Sequence, residues 1–115
     1  HIGGEEQGVP AEYVYKLWLG HGITTVRDPG CGNGLDWCVS ERKRSARNEI
    51  TAPRIYPYVF FAQGRDAPIT EPDDARAWVR EVHAQGALGV KCFGYRPDIL
   101  AAAFDEMKKL VAAMG

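Results

Sequence analysis

Two hydrophobic periods alternate along this chain, and that alternation constrains its fold more than any other feature. Short apolar or β-branched runs fall in residues 23–26, 54–61 and 86–94. Around and between them, four stretches carry apolar residues at three- and four-residue spacing. The spacing predicts helices over residues 10–19, 36–48, 70–85 and 97–114. Pro10 and Pro97 suit first turns, while Gly20 with Gly22, and Gly86, suit helix ends. Thr70 followed by Pro72 and acidic residues reads as a capped helix start. Helix, strand, helix, strand, helix, strand, helix is the signature of an α/β domain whose parallel strands are joined by right-handed crossovers. One such domain accounts for residues 1–115. Pro57 is awkward within the second run, because proline removes a ladder donor.

The expected inward positions are Ala75, Trp78, Val79 and Val82 on the third helix, and Ile99, Leu100, Ala103, Phe104, Met107 and Leu110 on the fourth. Tyr13, Val14, Leu17 and Trp18 recur along the first. The second helix is strongly charged, so one of its sides must be wet. Its basic run, Arg42-Lys43-Arg44 with Arg47, is flanked by Glu41 and Glu49, and reads as a solvated face.

A net charge of −1 argues against a dedicated nucleic-acid or membrane-surface binder. No apolar run approaches the roughly 18 residues of a membrane span. Cys31, Cys38 and Cys92 are odd in number and irregularly spaced, with neither a zinc-site spacing nor a disulfide framework. A reducing, cytoplasmic setting is therefore the expectation. Cys31 reads as an ordinary loop cysteine.

Within Gly86-Ala87-Leu88-Gly89-Val90-Lys91-Cys92-Phe93-Gly94, the apolar run bounded by glycines suits a parallel strand covered on both faces. Lys91 in such a strand must either snorkel its ammonium out at the strand end or meet a partner that makes burial tolerable. The segments after the strands (28–35, 62–69 and 94–97) should share one edge, where parallel α/β folds bind ligands. Asp28 stands at a strand's carboxyl end, although Asp28-Pro29-Gly30 is also an ordinary turn. His21 and His83 fall near helix ends, as dipole caps would. Gly30-Cys31-Gly32-Asn33-Gly34 lacks the Lys-Ser/Thr ending of a phosphate-binding loop.

Gly22-Ile23-Thr24-Thr25-Val26-Arg27-Asp28-Pro29-Gly30 resembles the second strand and following turn of the amidohydrolase superfamily, in particular its imidazolonepropionase-like and prolidase-like members. His1-Ile2-Gly3-Gly4 resembles the tail of that family's first-strand His-x-His motif. Residues 86–91 resemble its fourth strand, whose lysine is carboxylated and bridges two metal ions. The resemblance implies part of a TIM-type (β/α)8 barrel, incomplete in this chain, and a metal-dependent hydrolase in which water attacks an amide, peptide or ester carbonyl. It makes His1 and Lys91 metal ligands, and the cofactor a divalent metal, zinc before others, provided the missing ligands are supplied. Asp28, Tyr95 and Arg96 become candidates to face the small-molecule substrate.

The chain carries neither the first histidine of the His-x-His pair nor the family's histidines of strands five and six and aspartate of strand eight. An incomplete barrel, inactive alone, is therefore one expectation. The alternative is a non-catalytic α/β protein that self-associates through its open sheet into a homo-oligomer.

Overall fold

Right-handed crossovers between successive parallel strands place every connecting helix on the same side of a sheet. The computed structural model, which describes residues 8–115, shows the result. Its order is α1 (Ala11–Gly20), β1 (Thr25–Asp28), α2 (Leu35–Ala46), β2 (Arg54–Phe60), α3 (Pro72–Ala84), β3 (Gly89–Lys91) and α4 (Pro97–Ala113). The sheet is parallel and open, in the order β1-β2-β3. β2 is central. Ile55, Pro57 and Val59 are buried; of the alternate residues, Arg54 and Tyr56 are exposed and Tyr58 and Phe60 half-buried. In-register neighbours share a face, so Val26 and Asp28 lie with Ile55 and Pro57 on the buried side, and Val90 lies with Val59. Ile55 and Val59 pack in one core with Ala75, Trp78, Val79, Val82, Ile99 and Ala103 of α3 and α4.

Among the described residues, no helix covers the other face. Arg27 lies 5.3 Å from the Tyr58 ring centroid, and Lys91 lies 5.5 Å from that of Phe60. The expectation of a lysine strand covered on both faces is corrected here: Gly89 and Val90 are half-buried and Lys91 is exposed. Gly89 is demanded by this face, because a Cβ there would overlap the Tyr58 ring beside it.

Three helices end in the same way. Ile23 N–H donates to Trp18 C=O at 3.0 Å, Glu49 N–H to Arg44 C=O at 2.9 Å, and Ala87 N–H to Val82 C=O at 2.9 Å. Gly22, Asn48 and Gly86 supply the positive φ that this closure needs. It also explains why β1 starts at Thr25, two residues later than the sequence suggests: Ile23 is engaged in closing α1. Likewise β2 stops at Phe60, because Ala62 turns the chain at φ 67°.

Pro57 sits where its missing donor costs least. Leu88 N–H donates to its carbonyl at 2.9 Å, but β3 begins only at Gly89, so the third strand is absent beside the proline nitrogen. One ladder step earlier, Arg42 of α2 donates to the Ile55 carbonyl at 3.1 Å in place of a strand. At α3 the N-cap is Glu71 and not Thr70. The Asp74 carboxylate reaches back to accept from the N–H groups of both, at 3.0 and 3.2 Å.

All four expected inward residues of α3 are buried. On α4, Ile99 and Ala103 are buried as expected, but Phe104 is 46% exposed and Glu106 is buried instead. Glu106 falls on the stripe of Ile99, Ala102 and Ala103, and its burial is met by charge: Arg80 meets Glu106 at 2.9 Å, while beside it Arg76 pairs with Asp105 and Lys109 meets Asp105 at 2.8 Å. On α1, Ala11 and Tyr15 are buried while Tyr13 and Leu17 are exposed. Tyr15 donates to the buried Glu41 carboxylate of α2 at 2.9 Å, and Arg44 meets the other oxygen at 2.6 Å.

Lys109 and Arg76 hold the Asp105 carboxyl below its ordinary value of 3.8, and Arg80 does the same for Glu106 against 4.5. Folded values below unfolded ones mean that this stabilisation is complete above the ordinary carboxylate range and is lost as pH falls through the folded values. The urea midpoint should be level from about pH 7 to about 5 and decline below about pH 4. An Arg76→Met variant should show a shallower decline.

Candidate functional site

β1 ends on Asp28, and the carboxylate of that residue builds the turn that follows. Asp28 Oδ1 accepts from the N–H of Gly30 at 3.3 Å and of Cys31 at 3.2 Å. Cys31 then adopts φ 39°, in the left-handed region that non-glycine residues seldom enter. Gly34 N–H closes on the Cys31 carbonyl at 2.8 Å, and Gly34 at φ 97° starts α2. Gln63 donates to the same carbonyl at 3.1 Å, tying the segment after β1 to the segment after β2.

Cys38 is the fourth residue of α2, and helical side chains lean towards the helix start. Its thiol donates to Asp28 Oδ2 at 3.5 Å. Asp28, Cys31 and Cys38 are all essentially inaccessible, and their ligand atoms lie within 4.8 Å of one another. A hydrogen bond with Cys31, then burial, then the negative charge of its neighbours push the Cys38 thiol far above the ordinary thiol range. Two soft sulfur donors and a hard oxygen at this spacing can hold a metal ion.

The expected shared edge is present. The Tyr95 hydroxyl donates to the Ile69 carbonyl at 2.9 Å, and the Tyr95 ring meets Phe61 edge-on with centroids 4.9 Å apart. Arg96 donates to the Thr70 carbonyl at 2.9 Å and pairs with Asp98 at 2.6 Å. Tyr95 and Arg96 thus fasten the segment after β3 to the segment before α3. Trp78 donates to the Gln63 carbonyl at 2.9 Å beneath them.

Lys91 is the last residue of β3. Of the two expectations for it, snorkelling describes the geometry: the ammonium leaves at the strand end, 5.5 and 5.2 Å from the ring centroids of Phe60 and Phe93. Asp28 pairs with Pro57, and Lys91 pairs three residues further along β2 with Phe60. Two strand spacings and three residues of rise separate their backbones by about 14 Å. They also lie on opposite faces, so the structure does not bring Asp28 and Lys91 together.

His1 lies outside the described residues. His21 and His83 are exposed at helix ends, as expected of caps, and His21 Nδ1 lies 2.7 Å from the Leu17 carbonyl. The grouping of Cys31 and Cys38 with Asp28 was not anticipated. Its signal is an acid closing a strand, a cysteine in the turn, and a second cysteine one turn into the next helix. No protein-family model and no curated protein matches the chain.

Asp28→Ala leaves two buried backbone N–H groups without their acceptor. It should cost about 1–3 kcal/mol in chemical denaturation, and Asp28→Asn, which keeps an acceptor oxygen, clearly less. Equal losses from the two variants would show that the turn does not depend on this acceptor.

Proposed function

We propose that this chain forms part of a metal-dependent hydrolase of the amidohydrolase type, acting on an amide, peptide or ester carbonyl. The observation that carries the reading is the position of Lys91. It ends a parallel strand, on the face that no described helix covers, in a sheet whose post-strand segments gather at one edge. In a closed (β/α)8 barrel that face is the interior, and that edge is where catalytic groups collect. At an open face the Lys91 amine is reachable by CO₂, the reagent that would make it an oxygen ligand.

The described residues do not complete a metal centre around Lys91. The metal-sized group among them is Asp28, Cys31 and Cys38, on the opposite face, and it contains no histidine. A divalent ion at Lys91, zinc before others, therefore needs ligands beyond these. Sequencing the reading frame on both sides of residues 1–115 tests the proposal. A histidine two residues before His1 is expected, with further strand-and-helix units that carry histidines and an aspartate at strand ends. In the protein made from that frame, Lys91→Ala should abolish zinc-dependent hydrolysis of N-acyl amino acids or dipeptides. A frame that supplies none of those ligands overturns the reading.

A second reading, a non-catalytic homo-oligomer, is supported by the outer edge of β3. β3 pairs with β2 alone among the described strands, and Leu88 and Phe93 beside it are 44% and 58% exposed. A groove of about 540 Å³ between β3, α3 and α4, lined by Val82, Leu88, Val90, Met107 and Val111, continues that apolar surface. This reading expects a mass that rises with concentration in light scattering across a hundredfold dilution series. A constant monomer mass rejects it.

A further inference from the structure

We propose that Asp28, Cys31 and Cys38 form a binding site for one borderline-soft divalent ion, Zn²⁺ by preference, which fastens the segment between β1 and α2. One pair of ligand atoms already stands at the spacing of a tetrahedral centre, and the third lies within about an ångström of it. Metal–sulfur bonds of about 2.3 Å and metal–oxygen bonds of about 2.1 Å at tetrahedral angles set sulfur and oxygen about 3.6 Å apart, and two sulfurs about 3.8 Å apart. Cys38 Sγ lies 3.5 Å from Asp28 Oδ2, and the whole set falls within 4.8 Å.

The two Asp28 oxygens divide the work. Oδ1 holds the backbone amides of Gly30 and Cys31, and Oδ2 is the oxygen that faces the Cys38 thiol. Such hydrogen bonding to the non-ligating oxygen is how metal-bound carboxylates are oriented.

Donor chemistry selects the ion. Two thiolates favour zinc over magnesium or calcium, which require oxygen shells. Two thiolates and a carboxylate around a divalent cation leave a single negative charge, beside the positive end of α2. The thiol protons leave to solvent as the ion enters. Three protein ligands leave a fourth position for water. A cavity of about 320 Å³ lined by Asn33, Gly34, Trp37 and Gln63 adjoins the segment between β1 and α2.

This site does not rest on the hydrolase reading, because it lies on the helix-covered face away from Lys91. Cobalt is the probe, added to the reduced 115-residue chain. The expected result is one Co²⁺ per chain, with a near-ultraviolet charge-transfer band of two-thiolate intensity that Zn²⁺ abolishes and Mg²⁺ does not. Cys31→Ser and Cys38→Ser should each weaken binding at least about tenfold, whereas Cys92→Ser should leave band and affinity intact. The band of the parent chain reports thiolate number without any variant, so a serine variant that fails to fold does not blunt the test. No band, a band carried by Cys92, or a Cys31–Cys38 disulfide formed in the presence of excess Zn²⁺ overturns the proposal.

Discussion

One-sided cover of a parallel sheet governs the rest of this molecule. Because the strands run in the order β1-β2-β3 and the crossovers share one hand, the helices converge on a single face. That face takes Ile55 and Val59 into a core with α3 and α4, and it takes Asp28 with them. The opposite face is left to Arg27, Tyr56, Tyr58, Phe60 and Lys91, which answer partial exposure by laying cations over aromatic rings. Two chemistries thereby separate within one sheet. A buried thiol and carboxylate group lies under the helices, and an accessible amine lies on the other side.

Two buried carboxylates mark where helix meets helix. Glu41 and Glu106 are both buried, and each is met by a partner from another helix: the Tyr15 hydroxyl for one, the Arg80 guanidinium for the other. These contacts go with the rotation of α1 and α4 about their axes. The outcome leaves Tyr13, Leu17 and Phe104 outward even though they fit apolar stripes. An apolar stripe says that a helix can be covered. It does not say which of two adjacent faces wins when a carboxylate on one of them finds a buried partner.

The carboxyl edge gathers its connections through short polar links. Asp28 caps its own turn, Gln63 bridges to Cys31, Tyr95 reaches Ile69, and Arg96 reaches Thr70. Each link satisfies a backbone group that a strand end would otherwise leave bare. Cysteine burial follows from the same construction: once the Asp28 turn is made, Cys31 has little direction open to it but inward, toward Cys38.

The sequence by itself determined the order and kind of the elements, because 3.6- and 2-residue periods, helix-ending Gly22 and Gly86, and the proline starts at Pro10 and Pro97 are local signals that act over a few residues. It also placed the segments after each strand at one edge, since parallel connection leaves no other arrangement. Only the tertiary structure decided which face of the sheet the helices cover, where β1 begins once Ile23 is used to close α1, and how α4 is rotated against Arg76 and Arg80. Above all, it decided that Asp28, Cys31 and Cys38 meet. A turn of a few residues folds ten positions of chain back to one point, and the spacing of two cysteines along the chain carries no record of that bend until Asp28 makes it.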